Sequence, residues 1–273
     1  MKLGISSYTY TWSVGVPGSE PAEPWDELML VRKAAELEVD CLQLADNLPL
    51  HLMDQQRLSA LKQLAMEAGI ELEVGARGMK AEVLQRYLEI ATLLGSSLLR
   101  FVIDGPDFSP SVEEVTAIVR SAVPELEKRG IRLAIENHDR LQAREFLDIV
   151  QGSQSEYVGI CLDSVNSMGA GEGIETVTTF LAPYAFNLHI KEFLVERHPH
   201  MMGFTIEGRP VGQGQLPLAW MLEQLGPHCQ SAILESWTPP EESLEKTMAK
   251  EARWALESIQ YLKTKYFPKH TTP

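Results

Sequence analysis

The sequence predicts one closed (β/α)8 barrel, a TIM barrel of the α/β class forming a single domain, on three observations. Short apolar runs of β type alternate with longer stretches of helical period along the chain. The 273 residues divide into eight strand–helix units of about 34 residues, close to the roughly 250 residues typical of such a barrel. The first run leads into Ser6-Ser7-Tyr8-Thr9-Tyr10-Thr11-Trp12, which lacks the glycine-rich phosphate turn that a doubly wound open sheet usually places there.

Taken in order, the strand runs are Leu3–Ser7, Cys41–Ala45, Ile70–Val74, Leu98–Ile103, Ile131–Ile135, Val158–Leu162, Phe186–Ile190 and Ala232–Leu234. Helical stripes lie between them. Leu58, Leu61, Leu64, Ala65 and Ala68 form one, and Val83, Tyr87, Ile90, Ala91 and Leu94 another. Leu244, Met248, Ala252, Ala255, Ile259 and Leu262 close the chain. Gly69, Gly95 and Gly130 stand where helices should stop. Ser109-Pro-Ser-Val-Glu-Glu reads as a helix start, with a capping serine, proline in the first turn and early acids. The longest irregular stretch, Phe193 to Gly214, follows the seventh strand. The barrel is expected over residues 1–266, with a frayed tail over 267–273.

The charge balance is 24 Lys and Arg against 38 Asp and Glu, a net −14 with pI near 5.0. Such a surface repels phosphate backbones and anionic lipid, so neither nucleic acid nor a membrane is expected as partner. No run reaches the 18 or so apolar residues of a membrane span, and the N-terminus carries no signal-peptide pattern. Cys41, Cys161 and Cys229 are odd in number and far apart, so no disulfide framework is expected and a cytoplasmic location is. A homo-oligomer stays open.

In a (β/α)8 barrel the active site is built at the carboxyl ends of the strands. Four consecutive strands here end in Glu136, Asp163, His189 and Glu235, each following an apolar run. One acid at a strand end is usually a helix cap. Four ligand-type residues in register are different, because three clustered carboxylates repel unless a cation compensates them. One histidine with three carboxylates is a hard, oxygen-rich set, which favours one divalent ion, Mn²⁺ first, with Mg²⁺ or Co²⁺ as alternatives.

Further residues could meet substrate. His138 shares strand parity with Glu136. Lys191 and Arg209 flank the seventh strand and its loop, Arg77 follows the third strand, and Arg100 lies within the fourth. Cations near an acidic centre suit a substrate bearing a carboxylate. Tyr8, Tyr10 and Trp12 could wall a pocket, and Asp46 and Asn47 could bind hydroxyls or cap a turn. His198 and His200 form an HxH in the long loop and are weak candidates for extra ligands.

The chain resembles the xylose isomerase-like barrels, which include ketose 3-epimerases, hydroxypyruvate isomerases and inosose dehydratases and share their fold with endonuclease IV. The resemblance rests on Ile135-Glu136-Asn137-His138, Cys161-Leu-Asp163-Ser-Val-Asn166, Leu188-His189-Ile-Lys191-Glu192, Gly208-Arg-Pro-Val-Gly212-Gln-Gly214 and Leu234-Glu235-Ser236. It implies that Glu136, Asp163, His189 and Glu235 bind one divalent metal and that Glu136 and Glu235 are the catalytic pair. Asn166 stands where endonuclease IV-like proteins carry another metal-binding histidine, so a DNA-repair hydrolase is the least favoured reading, and Asn166 becomes a substrate-binding candidate. The leading expectation is a sugar isomerase or epimerase acting on a small keto sugar or sugar acid through a metal-stabilised enediolate. The alternative is a metal-dependent decarboxylase of a 3-oxo sugar acid, in which loss of CO2 forms the same enediolate.

Overall fold

The computed structural model describes residues 1–268. Eight parallel strands close a barrel in the order β1 (Lys2–Ser6), β2 (Cys41–Leu44), β3 (Glu71–Arg77), β4 (Leu98–Val102), β5 (Arg132–Glu136), β6 (Val158–Asp163), β7 (Ala185–Ile190) and β10 (Ser231–Leu234), which returns to β1. The intervening helices are α1 (Thr11–Val14), α2 (Glu27–Glu36), α3 (Gln55–Ala68), α4 (Ala81–Leu94), α5 (Val112–Arg129), α6 (Ala143–Ser153), α7 (Ile174–Leu181) and α8 (Leu218–Gln224). Helix α9 (Leu244–Lys265) closes the chain. Among the described residues no helix is long and apolar enough to cross a membrane.

The strands are buried on both faces, which is why they read as near-continuous apolar runs. One parity packs outward against the helices in a single core that includes Leu42, Leu44, Phe101, Leu133, Ile135, Leu162, Leu188 and Ile190. The other parity carries buried polar groups: Gln43, Glu73, Arg100, Glu136, Asp163, Asn187 and His189. Parallel register sets Asp163 beside His189 and His189 beside Ile233. The polar side chains therefore enter the barrel from neighbouring strands at matched heights.

Helix stops at Gly69, Gly95 and Gly130 hold, with φ of 67°, 77° and 65°; this left-handed conformation suits glycine, which has no Cβ to clash. The start of α5 differs from expectation. Its cap is Ser111, not Ser109, and Pro110 lies outside the helix. Ser111 Oγ accepts from Glu114 N at 3.2 Å while the Glu114 carboxylate accepts from Ser111 N at 2.8 Å, a reciprocal pair unavailable to Ser109.

The long stretch after β7 is not irregular. It folds as an antiparallel hairpin of β8 (Phe193–Arg197) and β9 (Phe204–Gly208), with Val195 opposite Ile206. Its short, charge-interrupted strands hid the alternation. The tail expectation also changes: Phe267 packs against the core and its N–H donates to Leu262 O at 2.9 Å, while 269–273 lie outside the described residues.

Replacing Ser111 with alanine should cost about 1 kcal/mol and lower the thermal midpoint by about 2–4 °C. Ser109→Ala should leave it unchanged. Thermal unfolding followed by circular dichroism checks both.

Candidate metal centre and adjoining cavity

Glu136 and Asp163 end β5 and β6, His189 lies on β7, and Glu235 follows β10 directly. The four meet at the carboxyl end of the barrel, all essentially buried. His189 Nδ1 lies 3.6 Å from Glu136 Oε2, 3.6 Å from Asp163 Oδ2 and 3.5 Å from Glu235 Oε2. Asp163, His189 and Glu235 can bring one ligand atom each within 4.8 Å of one another.

The tautomer of His189 is set from beneath. Its Nε2 lies 2.7 Å from Gln43 Oε1. The Gln43 amide nitrogen donates to Glu73 Oε2 at 2.9 Å and Asn187 Oδ1 at 3.2 Å, so Oε1 is the atom left for the imidazole, which donates from Nε2. In the neutral ring Nδ1 presents its lone pair to three carboxylates; burial opposes a proton there, but Glu235 and Glu136 overcome it and raise the imidazole above its ordinary value, so a metal would take the place of that proton. Among the described residues Nδ1 and Glu235 Oε1 have no hydrogen-bond partner, and Asp163 Oδ2 and Glu235 Oε2 meet only the Lys191 ammonium. Three buried carboxylates beside one imidazole nitrogen, with the Lys191 ammonium shared by two of them, call for a further cation, and the donor set of one imidazole and three carboxylates fits a divalent ion of the hard class.

Each carboxylate is anchored through its other contacts. Asp163 Oδ1 accepts from Val165 N at 2.9 Å and Asn166 N at 2.8 Å, leaving Oδ2 for the site. Glu136 Oε1 accepts from Asn166 Nδ2 at 2.9 Å, and its Oε2 pairs with Arg100 Nε. Lys191 Nζ sits 2.8 Å from Asp163 Oδ2 and 2.9 Å from Glu235 Oε2. Burial pulls the Lys191 ammonium toward neutrality, but Asp163, Glu235 and Glu136 overcome it and hold the proton on. Burial favours protonated Asp163 and Glu235. The Lys191 charge foremost for Asp163, and for Glu235 a protonated His189 and then Lys191, nonetheless hold both below the usual carboxylate range.

The centre opens into a cavity of about 400 Å³ lined by Tyr8, Trp12, Arg77, Arg100, His138, Asn166 and Lys191, among others. Asp46 braces its far side. It accepts from Arg100 Nη1 at 2.6 Å, Arg77 Nε at 3.0 Å and Tyr8 OH at 3.1 Å. Burial pushes its carboxyl up, but Arg100 and Arg77 bring it down to about 2. Arg77 Nη2 also meets His138 Nε2 at 3.1 Å.

Not every expected residue reaches this cavity. Arg209 does not line it. Its guanidinium pairs with Glu196 at 2.7 Å and Glu207 at 3.3 Å on the hairpin, which supplies the acids that distance from His189 could not reveal. Tyr10 turns into the core and packs on Trp25 at 4.9 Å. Asn47 ties the segment after β2 to Ser7, just past the end of β1. His198 and His200 stack on each other at the hairpin tip, 5.0 Å between ring centres, and are not among the cavity's lining residues.

Sequence reasoning missed Gln43, Glu73 and Asn187. The available signal was a polar residue interrupting an otherwise buried strand, as in Cys41-Leu-Gln-Leu and Ala185-Phe-Asn-Leu. It also passed over Glu192 as more than a motif letter. The Glu192 carboxylate accepts from Phe193 N at 3.1 Å, Gly212 N at 3.0 Å and Leu216 N at 2.8 Å, tying the segment after the hairpin to β7. Cys161 lies near Glu136 and His189, but its thiol donates to Asn187 Oδ1 at 2.9 Å, and burial pushes it well above the ordinary thiol range.

Residues 31–265 match the family described as xylose isomerase-like TIM barrel. A 3-oxo-isoapionate decarboxylase of Pectobacterium atrosepticum is 30% identical over 267 residues, covering 97% of this chain and 96% of the relative. Among solved structures, a D-psicose 3-epimerase crystallised in the presence of D-fructose superposes with a TM-score of 0.72 at 15% identity, covering 97% of this chain and 99% of the other. The IolI protein with a bound zinc atom gives 0.64 at 17% identity, covering 96% and 99%. At such identities these two speak for the fold alone. The profile match over most of the chain, and the barrel it describes, show that this protein belongs to the xylose isomerase-like TIM barrel family.

Proposed function

We propose that this chain is a divalent-metal-dependent carboxy-lyase acting on a 3-oxo sugar acid, with Glu136, Asp163, His189 and Glu235 as metal ligands. The observation that carries this reading is the cationic side of the cavity: Arg77, Arg100 and Lys191 share it with the ligand cluster. Asp46, Glu136, Asp163 and Glu235 bring four carboxylates against those three cations. A divalent ion takes the site one positive charge past balance, which suits a monoanionic substrate better than a neutral sugar. The decarboxylase relative supports the same choice.

In a 3-oxo acid the electron pair of the carbon–carboxylate bond moves onto the ketone oxygen as CO2 leaves. The resulting enediolate takes one proton from solvent at the carbon that lost CO2. A divalent ion held by Glu136, Asp163, His189 and Glu235 would supply Lewis-acid stabilisation of the developing negative charge. Arg77, half-exposed at the mouth, captures the carboxylate. Lys191, buried beside Asp163 and Glu235, donates to the oxygen on which charge develops. Asn166 orients Glu136, while Tyr8 and Trp12 limit water entry. Epimerisation would instead need a free carboxylate oxygen to remove a proton from carbon. Both oxygens of Glu136 are already engaged, by Arg100 and Asn166, so of the expected catalytic pair only Glu235 keeps an unengaged oxygen, Oε1; a two-base epimerisation is thereby disfavoured relative to the lyase.

The test presents 3-oxo aldonates and neutral ketoses to the purified chain while recording CO2 release and proton exchange. The expected result is stoichiometric CO2 from the oxo-acid, abolished by EDTA and restored by Mn²⁺. Interconversion of neutral ketoses without CO2 would refute the lyase. Arg77→Met should raise KM for the oxo-acid by roughly 10- to 150-fold, the worth of a charged hydrogen bond, with kcat little changed. Lys191→Met should act mainly on kcat. Gln43→Leu should weaken Mn²⁺ binding about 10- to 100-fold by calorimetry, as loss of a ligand's outer partner does.

A further inference from the structure

We propose that Glu251 is a positioning residue for the aromatic wall of the cavity: its carboxylate, on α9, holds Trp12 in place through a grip that depends on its ionisation. Glu251 is fully buried and lies far in sequence from the segment it holds. One oxygen accepts from Trp12 N at 2.9 Å. The other accepts from Ser13 N at 3.1 Å and Ser13 Oγ at 2.9 Å. Trp12 in turn donates from its indole nitrogen to Thr238 O at 2.8 Å, and both residues line the cavity. One side chain on the last helix thereby secures α1 and, through Trp12, the loop after β10.

Burial pushes the Glu251 carboxyl up to about 7, because the three donors from Trp12 and Ser13 do not offset the lost hydration. Among the described residues, burial and the Trp12 and Ser13 donors account for that shift, with no charged side chain among its causes. From the segment before α1, Tyr10 faces it, a neutral phenol whose own proton is held on by burial first and then by Glu36 and Glu251. On α9, Lys250 is taken up by Glu241 at 2.8 Å, and Arg253 lies 3.9 Å from Glu257. The proton therefore competes directly with the grip. Above pH 7 both oxygens accept fully. Below it, one oxygen becomes a hydroxyl, Ser13 Oγ must turn from donor to acceptor, and the hold on Ser13 N weakens.

The stability sign runs the opposite way. A folded-state value above the ordinary 4.5 means that folding favours the acid form. Stability from this group is full below about pH 4.5 and is lost as pH rises through about 7. The fold thus carries a buried charge at the pH where the wall is held most firmly.

The inference relies on the lyase reading only in taking this cavity as the substrate site, and its test needs no substrate. Tryptophan emission of the ligand-free full-length chain is followed across about pH 5.5 to 8.5, a range chosen to span a group titrating near neutrality. The expected result is a transition with its midpoint near 7, removed by Trp12→Phe, which assigns the signal, and by Glu251→Gln, which cannot ionise. Ser13→Ala removes one donor to the carboxylate, so it should move the midpoint upward; this variant decides the matter if Glu251→Gln does not fold. A wild-type chain without the transition, or a transition unchanged in Ser13→Ala and Glu251→Gln, overturns the proposal. Absence of CO2 release from every oxo-acid would refute the lyase and leave this result standing.

Discussion

Glu136, Asp163 and Glu235 each bring a carboxylate oxygen to 3.5 or 3.6 Å from one imidazole nitrogen inside the barrel mouth. Two like charges about 4 Å apart repel by ~4 kcal/mol at an effective dielectric of 20, and each buried ion adds a desolvation cost of several kcal/mol. Against a typical total stability of about 5–15 kcal/mol, such a cluster cannot stand alone. Much of the surrounding structure answers it. Arg100 faces Glu136, Lys191 lies between Asp163 and Glu235, and two backbone N–H groups take the remaining oxygen of Asp163. On the proposed reading a divalent ion completes the compensation and turns an electrostatic cost into a binding site.

The same constraint explains why the polar network extends so far below the site. A histidine with the opposite tautomer would point an N–H at the carboxylates and bind no metal through Nδ1. Gln43 prevents this, and Gln43 is itself oriented by Glu73 and Asn187. Burial pushes the Glu73 carboxyl above its ordinary range even though Ser231 and Gln43 bond it, so the network ends in a group with little drive to carry charge. The barrel thus grades from a hydrogen-bonded floor to a charged mouth. A strand that displaced its inward parity by one residue would exchange Gln43 for Leu42 or Leu44 and lose the arrangement.

The fold was legible because its signals are local and repeated. Strands buried on both faces print as apolar runs, and Gly69, Gly95 and Gly130 mark helix ends by a conformation that few other residues adopt. The four cluster residues were legible for a related reason, since their strand-end positions fall in one register. What failed depended on partners distant in sequence. Arg209 and Lys191 look alike as cations near β7, yet one meets Glu196 and Glu207 and the other meets Asp163 and Glu235. Ser109 and Ser111 differ only in which has a glutamate three residues on; that difference was local and readable. Glu251 gave no sign at all, because its three donors lie 238 or 239 residues away.

Family membership leaves the reaction open, because an enediolate can be reached either by losing a proton or by losing CO2. The two routes ask different things of the protein. Proton loss requires a base with an unengaged oxygen on the correct face of the substrate. Loss of CO2 requires a place for a carboxylate and support for charge that migrates from it to the neighbouring ketone oxygen. Arg100 and Asn166 occupy Glu136 and leave Glu235 Oε1 as the unengaged oxygen of the pair, which weakens a two-base route without cost to the loss of CO2. Arg77 stands toward the mouth beside His138, and Lys191 stands beside the ligand cluster, so on the proposed lyase reading a cation would stand at both ends of that charge migration. Holding the carboxylate alone would stabilise the starting acid and slow its breakdown. A second cation where the charge arrives restores the difference between ground and transition state on which rate depends.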